Sequence, residues 1–302
     1  ALRAERTRPT ADLVVAHNVE AAWACAAAGV RSFVYFAHTS MREELPYYVP
    51  PGVRALARAA GDGLDRGACL GAATVFALTP DLAERLQPLH ACVECLLPPF
   101  ERPAAAPPSV ATARALLGLP LHARVALYAG NLDAYQGIEL LLSAIARAHA
   151  PWHLLVATAS APEPLRALAR SHALAERVVF APLGSEHDRA AAHAAADVAL
   201  VPRLAKGGLP IKLLEALARG VPVVANHRAL AGLPLEDVAS VLIAVADDSP
   251  ESLARGLERL HAQPSFARLE GAGEAVLASV GITASAFASR FQRACVQAVH
   301  AR

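Results

Sequence analysis

Short aliphatic runs recur through residues 124–245, each separated from the next by enough chain for a helix. They are 124–129 (RVALYA), 152–158 (WHLLVAT), 177–181 (RVVFA), 197–201 (DVALV), 221–225 (VPVVA) and 240–245 (SVLIAV). Continuous apolar character marks strands buried on both faces, and helix-length connections let such strands run parallel. The stretches between them, such as 137–149 and 163–175, carry apolar residues at three- and four-residue spacing, as a half-buried helix does. This alternation predicts an α/β chain with a complete doubly wound unit around a parallel sheet.

The first hundred residues follow the same alternation more thinly. Strand-like runs occur at 12–16, 32–37, 73–78 and 92–97, with helical stretches near 19–28, 53–70 and 80–87. The proline-rich ERPAAAPPS at 101–109 holds neither helix nor sheet and reads as a linker. From about Thr283 one amphipathic pattern sets Phe287, Phe291, Cys295 and Val299 on a helical face. The organisation expected is a partial Rossmann-like domain with linker over 1–108 and a complete one over 109–280. A terminal helix over 281–302 packs back on the first domain.

Charge and composition remove several function classes. A net charge of +1 and 5% aromatic residues give neither the basic surface nor the stacking platforms of a nucleic-acid binder. No apolar run reaches the roughly 18 residues of a membrane helix. The five cysteines form no regular framework and suit reduced thiols in a cytoplasm. Basic residues are almost all arginine, and the only lysines are Lys206 and Lys212.

Both lysines fall in the most informative segment, 196–226. Strand 197–201 runs into a loop with Arg203, Lys206, Gly207 and Gly208, and a helix begins near Pro210. A glycine-containing loop opening a helix offers unpaired N–H groups and a positive dipole end, which suit a phosphate. Glu215 follows Lys212 by three residues, on the same side of that helix. The spacing predicts cations for a diphosphate and a carboxylate for a ribose diol.

Residues 201–225, VPRLAKGGLPIKLLEALARGVPVVA, resemble the donor-binding signature of group 1, family-4-type glycosyltransferases. The likeness continues in order through VALYAGNLDAYQGIELLLSAI (125–145), ADVALVPR (196–203), ADLVVAHNVEAAW (11–23) and VYFAHTSMREELPYY (34–48). It implies the GT-B fold, two Rossmann-like domains with parallel sheets facing a cleft, the N-terminal one incomplete here. Carried over by position, Glu215 binds the nucleotide ribose and His38, the catalytic candidate, contacts the transferred sugar. Gly130, Asn131, Gln136 and Gly137 occupy the phosphate-binding loop, and Gly184 stands where backbone approaches the nucleobase.

This chain departs from the family pattern in two places. Asn131 and Gln136 stand where an arginine and a lysine are usual, which shifts the diphosphate charge to Lys212 and Arg203. Gly207 replaces the first glutamate of a paired motif eight residues before Glu215, leaving backbone there.

The resemblance implies a retaining enzyme that moves a hexosyl-type group from a nucleotide-diphospho sugar to a hydroxyl, with no cofactor and no metal. The implied acceptor is a glycan or lipid-linked molecule of bacterial envelope polysaccharide synthesis. The implied location is cytoplasmic, with peripheral association at the inner face of the membrane as an option. Two alternatives stay open: a nucleotide-sugar epimerase of the same fold, and a non-catalytic nucleotide-sugar-binding scaffold. The thin first half and the absence of a methionine at Ala1 lead to the expectation of a fragment lacking about half an acceptor domain.

Other signals carry less. His90 with Cys92 and Cys95 has knuckle spacing but no second ligand pair, so buried strand cysteines are expected. His17 either lines the cleft or is a strand-end histidine bound to backbone. Glu43, Glu44 and Tyr47 form a charged loop after His38. Ser185 with Asp188 reads as a helix cap. The arginine-bearing helix 53–70 lies against either lipid or solvent.

Overall fold

A computed structural model describes residues 11–30, 32–100, 106–204, 209–230, 233, 242–245, 247–262 and 271–300. The first unit contains β1 (Val15–His17), α1 (Asn18–Ala27), β2 (Phe33–Ala37), α2 (Met41–Glu44), α3 (Arg54–Leu70), β3 (Ala72–Ala77), α4 (Pro80–Leu86) and β4 (Val93–Cys95). Its four strands run parallel in the order β1-β2-β3-β4. β2 is buried along its whole length, as its unbroken apolar sequence requires.

The second unit begins with α5 (Val110–Leu116), β5 (Arg124–Ala129), α6 (Ile138–Arg147), β6 (Trp152–Ala157), α7 (Glu163–Ser171) and β7 (Val178–Ala181). It continues through α8 (Glu186–Ala195), β8 (Val198–Val201), α9 (Ile211–Ala218), β9 (Val223–Asn226), α10 (His227–Leu230), β10 (Leu242–Val245) and α11 (Pro250–Ala262). The strands form a six-stranded parallel sheet in the order β10-β9-β8-β5-β6-β7. Strand order therefore reverses between β5 and β8. In open α/β sheets the loops at the carboxyl ends of such strands diverge and leave a crevice.

Arg114 on α5 anchors the start of this unit. Its guanidinium donates to the Ala195 carbonyl at 3.1 Å and to both oxygens of Asp197, and Asp197 accepts from the Val125 amide at 2.7 Å. Burying a guanidinium is costly unless partners such as these satisfy its donors.

The chain closes with α12 (Ala272–Ser279) and α13 (Ala284–His300). The 26-residue stretch Ala272–Gln297 is long and apolar enough to cross a membrane by length and composition, which amends the sequence expectation. It is broken between Ser279 and Ala284, and α13 lies on the first sheet. Phe291 packs on Phe36 and Phe76 at centroid distances of 5.8 and 5.9 Å, and Arg290 donates to the Cys95 carbonyl.

The expected face of α13 holds at Phe287 and Phe291, which pack against the core, and drifts outward toward its end. Ala294 is buried while Val299 is 40% exposed. A four-residue step advances about 400° around a helix of 3.6 residues per turn, so a series at i, i+4, i+8, i+12 drifts off the packed face.

Two further expectations are corrected. The region after His38 is a helical turn, α2, followed by a 3-10 turn at Leu45–Tyr48. Cys92 is exposed and precedes β4, and Cys95 is half-buried, so neither is a buried strand cysteine. The nitrogens of His90 sit 3.1 Å from the Cys92 and Ala72 carbonyls. Among the described residues no three metal-ligating side chains converge. Helix 53–70 turns Gly61, Asp65 and Ala68 inward against α1 and α2, and its arginines outward.

Candidate functional site

The crevice at the switch point is a cleft of about 560 Å³ between the two sheets. The C-terminal unit supplies Gly130, Asn131, Tyr135 and Gln136 after β5, Ala159 and Ser160 after β6, and Leu183 after β7. It also supplies Arg189 on α8, Arg203 after β8, and Lys212 and Glu215 on α9. Asn18, His38, Thr39, Glu44 and Leu78 line the opposite wall.

Two loops are braced against each other at its floor. The Leu204 amide donates to the Tyr135 carbonyl at 2.8 Å, tying the loop after β8 to the loop after β5. Gly137 has φ +71°, and a Cβ there would sit 2.6 Å from the Pro202 carbonyl oxygen. Only glycine fits both the left-handed backbone and that approach. At Gly130, φ +152°, a Cβ would stand 3.3 Å from Cε of Lys212, so glycine leaves the ammonium its place. From β9, Asn226 is fully buried; its Oδ1 accepts from the Arg203 amide at 3.1 Å and its Nδ2 donates to the Arg203 carbonyl at 2.6 Å. This clamp on the β8 loop was not legible in the sequence, although a buried asparagine at a strand end signals one.

Lys212 projects from the first turn of α9. Its Nζ donates to Gln136 Oε1 and, at 3.2 Å, to the Tyr128 hydroxyl. Burial pushes its pKa down to about 7, with Arg203 adding repulsion and Asp133 pulling the other way. The amides of Ile211 and Leu213 turn back on the Leu209 and Pro210 carbonyls, at 3.0 and 2.8 Å. The open fan of N–H groups expected here is thus partly spent, and the lysine and the dipole carry more of any anion binding. Arg203 lies over the Tyr135 ring at 5.7 Å, and burial lowers its pKa.

Glu215, one turn beyond Lys212, is 5% exposed. Arg219 meets its Oε1 at 3.2 Å and Arg189 its Oε2 at 3.3 Å. The two guanidiniums compensate a buried carboxylate, and each oxygen retains a lone pair for a further donor.

His38 follows β2, and its Nε2 is 3.0 Å from Nδ1 of His17. Burial and the neighbouring His17 lower the His38 pKa, so it is neutral at pH 7 and can donate or accept a hydrogen bond. His17 is exposed and stacks on Phe36 at 5.1 Å; it is not in the cleft lining, and only its partner His38 is. Among the described residues neither expected alternative holds for His17, whose ring pairs with His38 and not with backbone. Behind His38 sits a residue that sequence reasoning missed. Asp65 is 2% exposed and accepts from Ser40 Oγ at 2.8 Å and from the Met41 amide at 2.9 Å.

Asn131 faces the cleft and donates to Asp133 at 2.7 Å. Gly184 is set apart: its amide donates to Asp188 Oδ2 at 3.2 Å within the Ser185–Asp188 capping box, and Leu183 faces the cleft instead. Gly207 and Gly208, with Lys206, lie outside the described residues. Of the charged segment after His38, Glu44 lines the cleft and Glu43 pairs with Arg85 at 2.8 Å. The Tyr47 hydroxyl donates across to the Leu204 carbonyl at 2.8 Å.

Residues 123–263 match the family described as Glycosyl transferases group 1. D-inositol 3-phosphate glycosyltransferase of Mycobacterium sp. (strain JLS) is 32% identical over 162 residues, 51% of this chain and 36% of the relative. The enzyme of that name from Streptomyces griseus is 32% identical over 190 residues, 58% of this chain and 39% of its own. The aligned region thus spans less than half the length of these curated relatives.

In fold, sucrose-phosphate synthase from Thermosynechococcus elongatus superposes with a TM-score of 0.81 at 21% identity, covering 100% of this chain and 77% of that one. Anabaena Alr3699/HepE, solved with UDP-glucose, gives 0.74 at 17% identity, over 96% and 79% of the two chains. WaaG, a glycosyltransferase involved in lipopolysaccharide biosynthesis, gives 0.71 at 21% identity, over 97% and 79%. The switch-point cleft, the order of motifs along the chain and these likenesses agree: residues 123–263 are similar to the group 1 glycosyltransferases, and the chain has the GT-B fold.

Proposed function

We propose that the chain binds a nucleotide-diphospho sugar in this cleft and serves its transfer to a hydroxyl acceptor with retention of configuration. One observation carries the reading: Lys212, an ammonium held by neutral partners, stands one helical turn before the buried carboxylate Glu215 at the switch point of the sheet. That turn-long separation suits a diphosphate followed by a ribose diol. Lys212, Arg203 and the dipole of α9 face the diphosphate, and Glu215 accepts from the two ribose hydroxyls.

In the transfer, the bond from the sugar carbon to the diphosphate oxygen breaks while the acceptor oxygen bonds to that carbon on the same face. The acceptor's proton passes to the departing phosphate oxygen. Negative charge grows on the diphosphate, so cations positioned there stabilise the transition state more than the ground state. Neutral His38 hydrogen-bonds the sugar from the opposite wall, beside Asn18, Thr39 and Glu44. This scheme invokes no cofactor.

An envelope glycan or glycolipid acceptor is supported by the likeness to WaaG, whose own role is in lipopolysaccharide biosynthesis. The five free cysteines support a reducing, cytoplasmic location, with the acceptor reached at the inner membrane face. The test is calorimetric titration of the purified chain with UDP, GDP, CDP and ADP, followed by incubation with the matching nucleotide sugars. Binding with sugar release or transfer supports the reading. Tight binding with neither leaves a nucleotide-sugar-binding scaffold, and no binding refutes the reading.

A further inference from the structure

The donor reading leaves the nucleobase unassigned, and the inference here rests on that reading. With the diphosphate at Lys212 and the ribose at Glu215, a nucleotide continues past Glu215 toward the ends of β6 and β7. The cleft is walled there by Ala159, Ser160, Leu183 and Arg189. Ala159 and Leu183 are apolar, and the Ser160 hydroxyl already accepts from the Leu132 amide at 3.3 Å. Arg189 supplies the charge on this wall.

Arg189 is anchored at both ends. Its backbone lies in the first turns of α8, whose start is fixed by the reciprocal capping box of Ser185 and Asp188. Its Nη1 donates to Glu215 Oε2 at 3.3 Å, and its side chain remains 40% exposed. A guanidinium has five N–H donors in a rigid fork and no acceptor. One donor is engaged by Glu215, which leaves others for a ligand on the cleft side.

We infer that Arg189 reads the nucleobase, selecting a carbonyl oxygen at position 4 of a pyrimidine or position 6 of a purine over an amino group there. Uracil and guanine present that oxygen, and guanine N7 adds a second acceptor beside it. Cytosine and adenine present an exocyclic amino group, a donor facing donors, whose partners would be lost on entry. The geometry also couples the two readings, since the guanidinium that meets the base steadies the carboxylate that meets the ribose.

The experiment compares UDP with CDP and GDP with ADP, pairs of equal ring size that differ at that position, by calorimetry on the full chain. For the ring size the site accepts, the wild type prefers the carbonyl base by at least about tenfold, the scale of one good bidentate contact. Arg189→Leu removes that preference. Arg189→Lys keeps a cation beside Glu215 but loses the fork, so it retains ribonucleotide binding while the preference collapses. Thermal unfolding of each variant confirms that it folds. Equal weakening of both members of a pair in Arg189→Leu, a preference that survives it, or a wild type favouring CDP or ADP overturns the inference alone. Failure of the wild type to bind any nucleoside diphosphate overturns the donor reading, and this inference with it.

Discussion

The ammonium of Lys212 lies 4.5 Å from the centroid of the Tyr128 ring and 3.2 Å from its hydroxyl, and a neutral amide, Gln136, is its nearest partner. Among the described residues no carboxylate pairs with it. A cation placed among neutral dipoles is undercompensated until an anion arrives, as expected of a binding site rather than of a structural ion pair.

Lys212→Ala is therefore expected to weaken nucleoside diphosphate binding by at least about 1–2 kcal/mol, the value of a charge-assisted hydrogen bond. Calorimetry on the folded variant checks this, and unchanged affinity would remove Lys212 from the site.

The same residue makes binding pH-dependent. Its pKa is pushed down to about 7 in the empty site, and a bound diphosphate raises it. The protonated form binds better, so affinity falls as pH rises above about 7, and binding takes up a proton there. Titrations in buffers of different ionisation enthalpy measure that uptake. In Lys212→Ala the uptake above pH 7 is expected to vanish. For stability the sign reverses: the unfolded chain holds the Lys212 proton up to its ordinary pKa, so this residue's contribution grows with pH between about 7 and 10.5.

Glu215→Gln removes one charge from a carboxylate held between Arg189 and Arg219. A ribonucleoside diphosphate is expected to lose about tenfold in affinity, while its 2′-deoxy counterpart loses much less. An equal loss for the two nucleotides would show that Glu215 supports the fold and does not touch the ribose.

Asp65→Ala strips the buried acceptor from Ser40 Oγ and the Met41 amide. The expected loss of stability is about 2–3 kcal/mol, since a buried amide and hydroxyl are left unsatisfied. Ser40→Ala gives up only one of these bonds, so denaturant melts should show a smaller loss. Equal melts for Asp65→Ala and wild type would contradict the assignment.

Gly137→Ala forces an L side chain into φ +71° and a Cβ to 2.6 Å from the Pro202 carbonyl oxygen. It is expected to destabilise the chain by at least about 1 kcal/mol and to weaken diphosphate binding by shifting Gln136. Unfolding curves and the UDP titration read the two effects separately.

Much of the local architecture was legible in the residues. The strand at 124–129 is observed as written, and the helix expected at 53–70 is observed at Arg54–Leu70. Ser185 and Asp188 form the cap that their spacing suggests. The strand expected at 92–97 is shorter, at Val93–Cys95, because apolar sequence continues past the point where β3 offers a partner. Of the candidate site, the placement of Lys212 and Glu215 at the head of one helix could be read from spacing. Asp65, Asn226, Tyr128 and Arg189 could not. Each acts on a residue distant in sequence, and nothing in its own neighbourhood marks it.

By itself, the sequence determined that buried strands alternate with helices, that proline and glycine interrupt them, and that the only two lysines sit beside one helix start. These are local properties, set by side-chain period and backbone stereochemistry over a few residues. Tertiary structure decided the strand order β10-β9-β8-β5-β6-β7, which opens the crevice between β5 and β8. It also set Lys212 against Tyr128 and Gln136, Arg189 against Glu215, and His17 against His38. Those pairings join residues 21 to 84 positions apart, and they exist because parallel strands carry their loops to one edge of the sheet. Periodicity in the chain places a residue on an element's face, while the partner across the cleft follows from how the elements pack.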